Sequence, residues 1–556
     1  MTDQPQLASQ VKIKIGGTNI QEAVMNKLAS LTVDQNCHLP GMFILQFNDP
    51  GMELLDNGPF DFTKEIEILG KKDDGTEISL IKGEITALEP QFGEGMISDL
   101  VIRGFDKSHR LFRETKTKTY LNIKDSDIAS QVAGAAGLSA QVESTSEVYD
   151  HVFQHNQSDL AFLFQRAWRI GFETFVEDGK LYFRKPPTGS ESLTLRWGEE
   201  LISFQPRMSL AEQVDQVSVL GWDVKTKDKI VGTASSGNLY PKISGKTGAQ
   251  WASSFGTGKR VIVDQPVFTQ SEANALAKAR LDEASGLFVE AEGAAFRRPD
   301  IKAGKIIKIE ALGKRLSGKY LVTSAMHTFS PAGLKTIFNV RGTHTGLVSE
   351  EIDRGEPLDR VYGVVIGVVT NTNDPNKWGR VKVKFPWMSD QAESAWGRVI
   401  GTGAGNNAGY CVVPNVNDEV LVGFIHGDIN FPIVLGGLWN GKDALPAPTS
   451  SESPSDQPKV RTWRSIAGHY IVIDDKKKMI DLVTVDGRKV TISDQDKKIT
   501  VTCSNSKVIM EDSKLSVEAA EINITSKGNL KFEASGSIDI KANGQVNVKG
   551  QLINLN

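Results

Sequence analysis

Short runs of alternating apolar and polar residues dominate the chain. KEIEIL (64–69), ISLIKGEITAL (78–88) and SDLVIRGF (98–105) alternate with period two, broken by turn residues such as Asp73-Asp74-Gly75. This pattern predicts half-buried strands over the first 110 residues. The period then changes. Ile128, Val132 and Ala135 in DSDIASQVAGAAGL (125–138) stand at helical spacing. Leu160, Phe164 and Trp168 in NQSDLAFLFQRAWRIG (156–171) predict one helix face, with Gly171 as its stop. FETFVEDGKLYFRKP (172–186) predicts a hairpin turning at Asp178-Gly179. Strands return over 200–345, with one helix near 271–285 ended by Gly286 and a Ser-, Gly- and Thr-rich loop from Gly232 to Gly258.

One stretch recurs. KEIEILG (64–70), GEITALEP (83–90) and VIRG (101–104) are matched in order by GKIIKIEALG (304–313), GKYLVTSAMHTFSP (318–331) and NVRG (339–342). Both copies end on Arg-Gly, which predicts an internal duplication and two related barrels. An acidic stretch, SEEIDRGEPLD (349–359), follows. Residues 361–440 predict a unit of five or six strands, and LPAPTSSESPSDQP (445–458) predicts a linker. Only strands follow it. Apolar pairs recur every seven to nine residues: Val490/Ile492, Ile499/Val501, Val508/Met510, Leu515/Val517, Ile522/Ile524, Leu530/Phe532, Ile538/Ile540, Val546/Val548 and Ile553/Leu555. Gly528, Gly536 and Gly544 recur every eight. The interval is one strand plus a turn, each strand presenting one apolar face.

Composition narrows the function classes. A net charge of -4 on 556 residues excludes a protein-wide basic field and, with it, bulk nucleic-acid binding. With 39% hydrophobic and 24% charged residues the chain is that of a folded protein, and its 52 glycines suit a β-rich one. Cys37, Cys411 and Cys503 are scattered, which argues against a disulfide framework and fits folding in a reducing cytoplasm. No basic n-region or apolar h-region opens the chain, so a route out of the cell without a signal peptide is expected. VYGVVIGVVT (361–370) is too short to span a bilayer and reads as a buried strand.

Candidate chemistry is sparse. His151 and His155 flank HVFQH, which lacks the Glu of HExxH, and no Cys pair has metal spacing. GTGAGNNAGY (401–410) misses GxGxxG and lies between strands, so an inter-strand loop is expected in place of a nucleotide cradle. Arg380, Lys382 and Lys384 alternate near Trp378 and Trp387, as on single-strand-binding OB faces, but a solvated face or a chain interface explains them as well. No G-x-S-x-G elbow is present. No catalytic, cofactor-binding or metal residue is therefore assigned, and no cofactor is expected.

Four motifs carry a family resemblance. YGVVIGVVTNTNDPNKWGRVKVKFPW (362–387), SAWGRVIGTGAG (394–405), VVPNVNDEVLVGFIHGD (412–428) and FPIVLGGLWNG (431–441) together resemble the OB-fold module of VgrG-type spike proteins. NQSDLAFLFQRAWRIGFETFVEDGKLYF (156–183) and VSVLGWDVKTKDKIVG (217–232) resemble that family's hub, and the final strands its β-helical spike. The resemblance implies a mainly β fold with a minor α/β part. Residues 1–110 would form hub β-barrel 1, 111–200 an α/β insertion, 201–348 hub β-barrel 2 and 349–360 a linker. Residues 361–442 would form an OB-fold collar, 443–459 a Pro/Ser linker and 460–556 a spike, a trimeric triangular β-helix or prism.

The strand array points to three chains on its own account. A single-chain solenoid needs three strands per triangular turn, so these strands would give barely three turns. Three chains wound together give each prism face eight or nine strands, about 40 Å at roughly 4.8 Å per strand. Ile522, Ile524, Leu530, Phe532, Ile538, Ile540, Val546, Val548, Ile553 and Leu555 would fill the prism core. Asn523, Thr525, Lys531, Glu533, Asp539, Lys541, Asn547 and Lys549 would face water.

The expected function is a structural homotrimer at the tip of a contractile injection system. Six related barrels would dock a six-fold inner tube, while a three-fold needle pierces the target envelope. Ile553, Leu555 and Asn556 would dock a PAAR-type tip protein, and inner tube and baseplate proteins are the other partners. The short spike without an effector leans towards an extracellular particle over a type VI secretion VgrG or a phage-tail spike. Such a protein would assemble in the cytoplasm and act outside or inside the target. A cell-wall hydrolase, the competing class, would need a domain between the OB fold and the strands.

Overall fold

The computed structural model describes residues 10–95, 97–237, 240–343, 360–386, 391–451 and 457–555. The acidic stretch 349–359, Trp387, part of the 445–458 linker and Asn556 lie outside them. The chain divides into two compact units, residues 1–438 and 439–556.

The first unit is organised by one eleven-stranded antiparallel sheet. Its strands run in the order Leu201–Met208, Val289–Phe296, Gly333–Val340, Ser324–Ser330, Leu28–Asn36, Met42–Asn48, Ile97–Asp106, Glu77–Gly93, Glu65–Lys71, Val11–Ile15 and Thr18–Asn19. One side buries Leu31, Val33, Phe43, Leu45, Ile68, Ile102 and Phe329, because alternate residues of each strand are apolar. Leu195, Ile307, Tyr320, Ala325 and Phe338 centre a second core under the other end.

The duplication is visible in the ladder. In the first half Leu28–Asn36 pairs with Met42–Asn48, then Ile97–Asp106, Glu77–Gly93 and Glu65–Lys71 follow. In the second half Leu201–Met208 pairs with Val289–Phe296, and Gly333–Val340 and Ser324–Ser330 follow; Gly318–Leu321, two residues before that last strand, pairs with Ile306–Glu310 in a separate sheet. Even an irregularity repeats. Leu28 opposes Phe47 and Ser30 opposes Gln46 across a one-residue bulge, as Leu201 opposes Ala295 and Ser203 opposes Ala294. The register corrects the expected alignment by two residues. Arg103 opposes Ile44 while Asn339 opposes the equivalent Glu292, so Arg103-Gly104 match Asn339-Val340, not Arg341-Gly342. An even shift leaves alternation intact, and alternation is all that a strand pattern reports. The halves join where Leu28–Asn36 pairs with Ser324–Ser330, so both belong to one continuous sheet.

Between the halves, Thr115–Ile123 pairs with Tyr149–Ser158, and Lys180–Arg184 with Glu173–Glu177. Asp178 and Gly179, both at positive φ, make the expected turn. Helix Asp125–Ala135 buries Ile128, Ala129, Val132 and Ala133; Ala135, expected on that face, is exposed because the stripe steps back by four residues rather than three. Helix Asp159–Ile170 starts at the Ser158 cap and ends on left-handed Gly171. Leu160 is buried as expected, but Phe164 and Trp168 are half-buried, and Leu163, Arg166, Ala167 and Arg169 occupy the interior. Within the expected 232–258 loop lie the short strand Lys242–Ile243 and helix Gly248–Ala252, which Thr247 and Gln250 close with a capping box. Helix Gln270–Gly286 packs on Val217, Val219 and Ile230.

Two buried arginines fasten this unit. Arg166 Nε lies 2.6 Å from Asp125, and Arg169 Nη2 lies 2.6 Å from Glu272 at the start of helix Gln270–Gly286. Arg169 also donates to the Pro266 carbonyl at 2.5 Å and approaches Asp428 at 3.7 Å. One side chain thus ties the insertion, the second half and the following small sheet together.

That small sheet has five strands, in the order Lys382–Lys384, Val364–Asn371, Glu419–Phe424, Pro432–Gly437 and Arg398–Val399. Val369, Val381, Val383, Phe385, Val420, Val422 and Val434 fill its core. Asp374 knots the loop between the first two strands in sequence. Its carboxylate accepts the backbone N–H of Asn376 at 3.0 Å and of Trp378 at 2.8 Å, and Arg380 Nη2 at 2.6 Å. The Arg380 guanidinium, then the backbone donors, hold the Asp374 carboxyl well below the usual range.

Replacing Arg169 with Ala leaves Glu272 buried without its charge partner, so Arg169→Ala should cost about 3–5 kcal/mol in denaturant unfolding, and Arg169→Ala/Glu272→Ala should cost less than the single change. Asp374→Ala should destabilise the five-stranded unit by roughly 3 kcal/mol, read as faster amide exchange over 364–437, because it orphans a guanidinium and several N–H groups.

Candidate assembly surfaces

The second unit is built on one seven-stranded antiparallel meander: Val460–Arg464, Tyr470–Asp474, Met479–Val483, Lys489–Ser493, Lys498–Cys503, Ser506–Glu511 and Lys514–Glu518. Its register lines up apolar residues across every strand. Trp463, Ile471, Leu482, Val490, Val501, Val508 and Val517 oppose one another in turn. Two residues away, Arg461, Ile473, Ile480, Ile492, Ile499, Met510 and Leu515 form a second row on the same face. Arg461 is the single polar member. These side chains are half-buried or exposed, Leu515 at 65%.

The other face is chiefly polar. Asp481 accepts from Thr491 Oγ1 at 2.7 Å and pairs with Lys489 at 2.8 Å, and Asp474 accepts the Lys477 N–H at 2.9 Å. Val472, Asp474, Asp481 and Ser493 on this face are nevertheless buried, while the apolar rows of the other face stand open and need a cover.

The expected pairs Val490/Ile492, Ile499/Val501, Val508/Met510 and Leu515/Val517 all fall in the two rows. The pairs Ile471/Ile473 and Ile480/Leu482 obey the same i, i+2 rule and extend the rows upstream of where the sequence reading began them. One expectation changes. Up to Glu518 each strand pairs laterally within its own chain, Val460–Arg464 and Lys514–Glu518 on one side only, so the five strands between them do not need other chains for their edges.

Beyond Glu518 the backbone changes character. Residues 519–555 pair with no strand among the described residues and form no helix; they bend at 520, 527–528, 535–536, 543–544 and 551. Gly528, Gly536 and Gly544 sit on those bends. Ile522, Ile524, Leu530, Phe532, Ile538, Ile540, Val546, Val548, Ile553 and Leu555 are all exposed, Leu555 at 91%.

Other residues singled out by sequence have local partners. His151 Nε2 lies 2.8 Å from the Glu393 carbonyl, and burial pushes its pKa down. The His155 ring stacks on Phe153. Residues 404–409 form a tight hairpin. Arg380 is spent on Asp374 and lies over Trp378, and Lys382 pairs with Glu393 at 3.5 Å.

Residues 365–439 match the Type VI secretion system/phage-baseplate injector OB domain. The Pseudomonas aeruginosa type VI secretion system spike protein VgrG2a is 29% identical over 140 residues, 23% of this chain and 17% of that protein. VgrG5 of the same organism is 38% identical over 98 residues, 16% of this chain and 12% of that protein. The matched part is thus less than a fifth of these relatives' length. The E. coli c3393 protein, a type VI secretion component similar to T4 tail proteins gp27 and gp5, superposes with a TM-score of 0.51 at 14% identity, covering 77% of this chain and 100% of that one. It shares the fold. Residues 6–330 match the Alg8 N-terminal domain, and on that match, over more than half its length, the chain belongs to that domain's family.

Proposed function

We propose that the protein is a structural homotrimeric spike at the tip of a phage-like contractile injection system. The observation that carries this reading is the pair of apolar rows left open across seven strands. Three such faces turned inward make a closed triangular core, with the polar faces outward. Covering the open part of thirteen apolar side chains is worth on the order of 10 kcal/mol per chain, comparable to the cost of association.

Over 519–555 the bends every eight residues suit three extended chains wound about each other, each strand laid against a neighbour's. There Ile522, Ile524, Leu530, Phe532, Ile538, Ile540, Val546 and Val548 would form the core, and Ile553, Leu555 and Asn556 the platform for a PAAR-type tip protein. The spike relatives and the OB match support this reading. In the first unit the duplicated halves give six equivalent ladders in a trimer, which suits docking to a six-fold inner tube with baseplate proteins around it. The role is mechanical. An extracellular particle is the favoured setting, with a type VI or phage tail machine as the alternative.

The purified chain should run as a trimer in mass photometry. Leu482→Asp, which sets a charge in the middle of one row, should weaken the trimer so that it dissociates at lower urea than the parent; an unchanged dissociation midpoint, or a monomeric parent, contradicts the reading. Deleting residues 520–555 should leave the trimer intact and abolish retention of the PAAR-type tip protein in a pull-down.

A further inference from the structure

The duplicated ladder leaves two strand edges open, and the closed seam inside the chain says what belongs on them. In the seam, Leu28–Asn36 pairs with Ser324–Ser330: Leu31 opposes Phe329, Val33 opposes His327 and Gln35 opposes Ala325. The duplicate of Leu28–Asn36 is Leu201–Met208, an outer edge of the eleven-stranded sheet. The duplicate of Ser324–Ser330 is the far half of Glu77–Gly93. That half pairs with Ile97–Asp106 on one side; Glu65–Lys71 reaches only as far as Glu84 on the other. No strand lies along its second edge among the described residues.

We infer that Leu201–Met208 of one copy pairs antiparallel with Leu88–Phe92 of the next, repeating the internal seam between chains. The register follows from the two sets of pairs. Leu31 corresponds to Phe204 through the shared bulge, and Phe329 corresponds to Phe92 through their partners Leu334 and Ser98. Phe92 therefore opposes Phe204, Pro90 opposes Pro206 and Leu88 opposes Met208. The intervening pairs are Gln91 with Gln205 and Glu89 with Arg207.

Three features of the open edges agree with that register. Every pair on the core side is apolar, and every pair on the other side is polar, with opposite charges at Glu89 and Arg207. A slip by one residue would oppose polar to apolar throughout. Phe329, inside the seam, is 6% exposed, whereas its duplicate Phe92 is 66% exposed. Glu89 already holds Arg103 at 2.8 Å through one carboxylate oxygen, which leaves the other for Arg207. The opposed prolines replace ladder hydrogen bonds with an apolar contact. They also keep either edge from pairing with stray strands beforehand.

This seam rests on the proposed trimer, and one experiment separates the two. In a Cys411→Ser/Cys503→Ser background, Gln91→Cys/Gln205→Cys places the two sulfurs on directly opposed residues, and Gln91→Cys/Ser203→Cys places them two residues out of register. Mass photometry before oxidation reads the trimer. After mild oxidation, non-reducing electrophoresis should show a covalent trimer for the first pair and monomer for the second. A trimer that does not cross-link through Gln91→Cys/Gln205→Cys, or cross-links only through the shifted pair, overturns the seam and leaves the trimer standing. A monomer by mass photometry overturns both.

Discussion

A β-sheet has two faces, and a face laid with Ile, Leu and Val must meet something other than water. The two units meet this constraint differently. In the first, the long sheet buries its apolar side around Leu31, Phe43 and Ile102, with Leu54 of helix Glu53–Asn57 packed there, and the insertion closes a core of its own. In the second, seven strands satisfy their backbone laterally and leave their apolar rows bare. Backbone pairing and face burial are thus separable. The first unit buries its apolar face; in the second the seven strands pair with one another but leave theirs open, and residues 519–555 do neither among the described residues.

The first unit shows how a duplicated β-unit becomes one body. Its halves share a sheet through a single seam, and buried charge locks what lies across it. Arg169 reaches Glu272, Pro266 and Asp428 from one helix, so the insertion, the second half and the five-stranded sheet share a fixed geometry. Desolvating such charges is costly, and the return is an arrangement that tolerates no sliding. In the proposed spike, which would transmit thrust, rigidity of this kind is of more use than extra stability.

Much of this was legible in residue order. Alternation gave the strands, and Gly171 and Asp178-Gly179 gave a helix stop and a turn, because those positions require left-handed backbone. The i, i+2 pairs gave the rows of the second unit. Other features were not legible. Register is invisible to a period of two, so the Arg-Gly ends of the repeat misaligned by two residues. The burial of Arg166 and Arg169 leaves no mark on the local sequence, because their acidic partners Asp125 and Glu272 lie far away in sequence. Lateral pairing within the chain up to Glu518 was hidden as well: a strand's apolar face is the same whichever chain supplies its neighbour.

The bends at Gly528, Gly536 and Gly544 carry a geometric consequence. In a three-fold prism, eight residues carry a chain from one face to the next, a rotation of one third of a turn. By symmetry that rotation maps each chain onto its neighbour. Inserting or deleting one eight-residue repeat would therefore change the needle's reach by about 4.8 Å and leave the end surface identical. In that proposed prism, length is a free variable, counted in eights, while the identity of the tip is fixed.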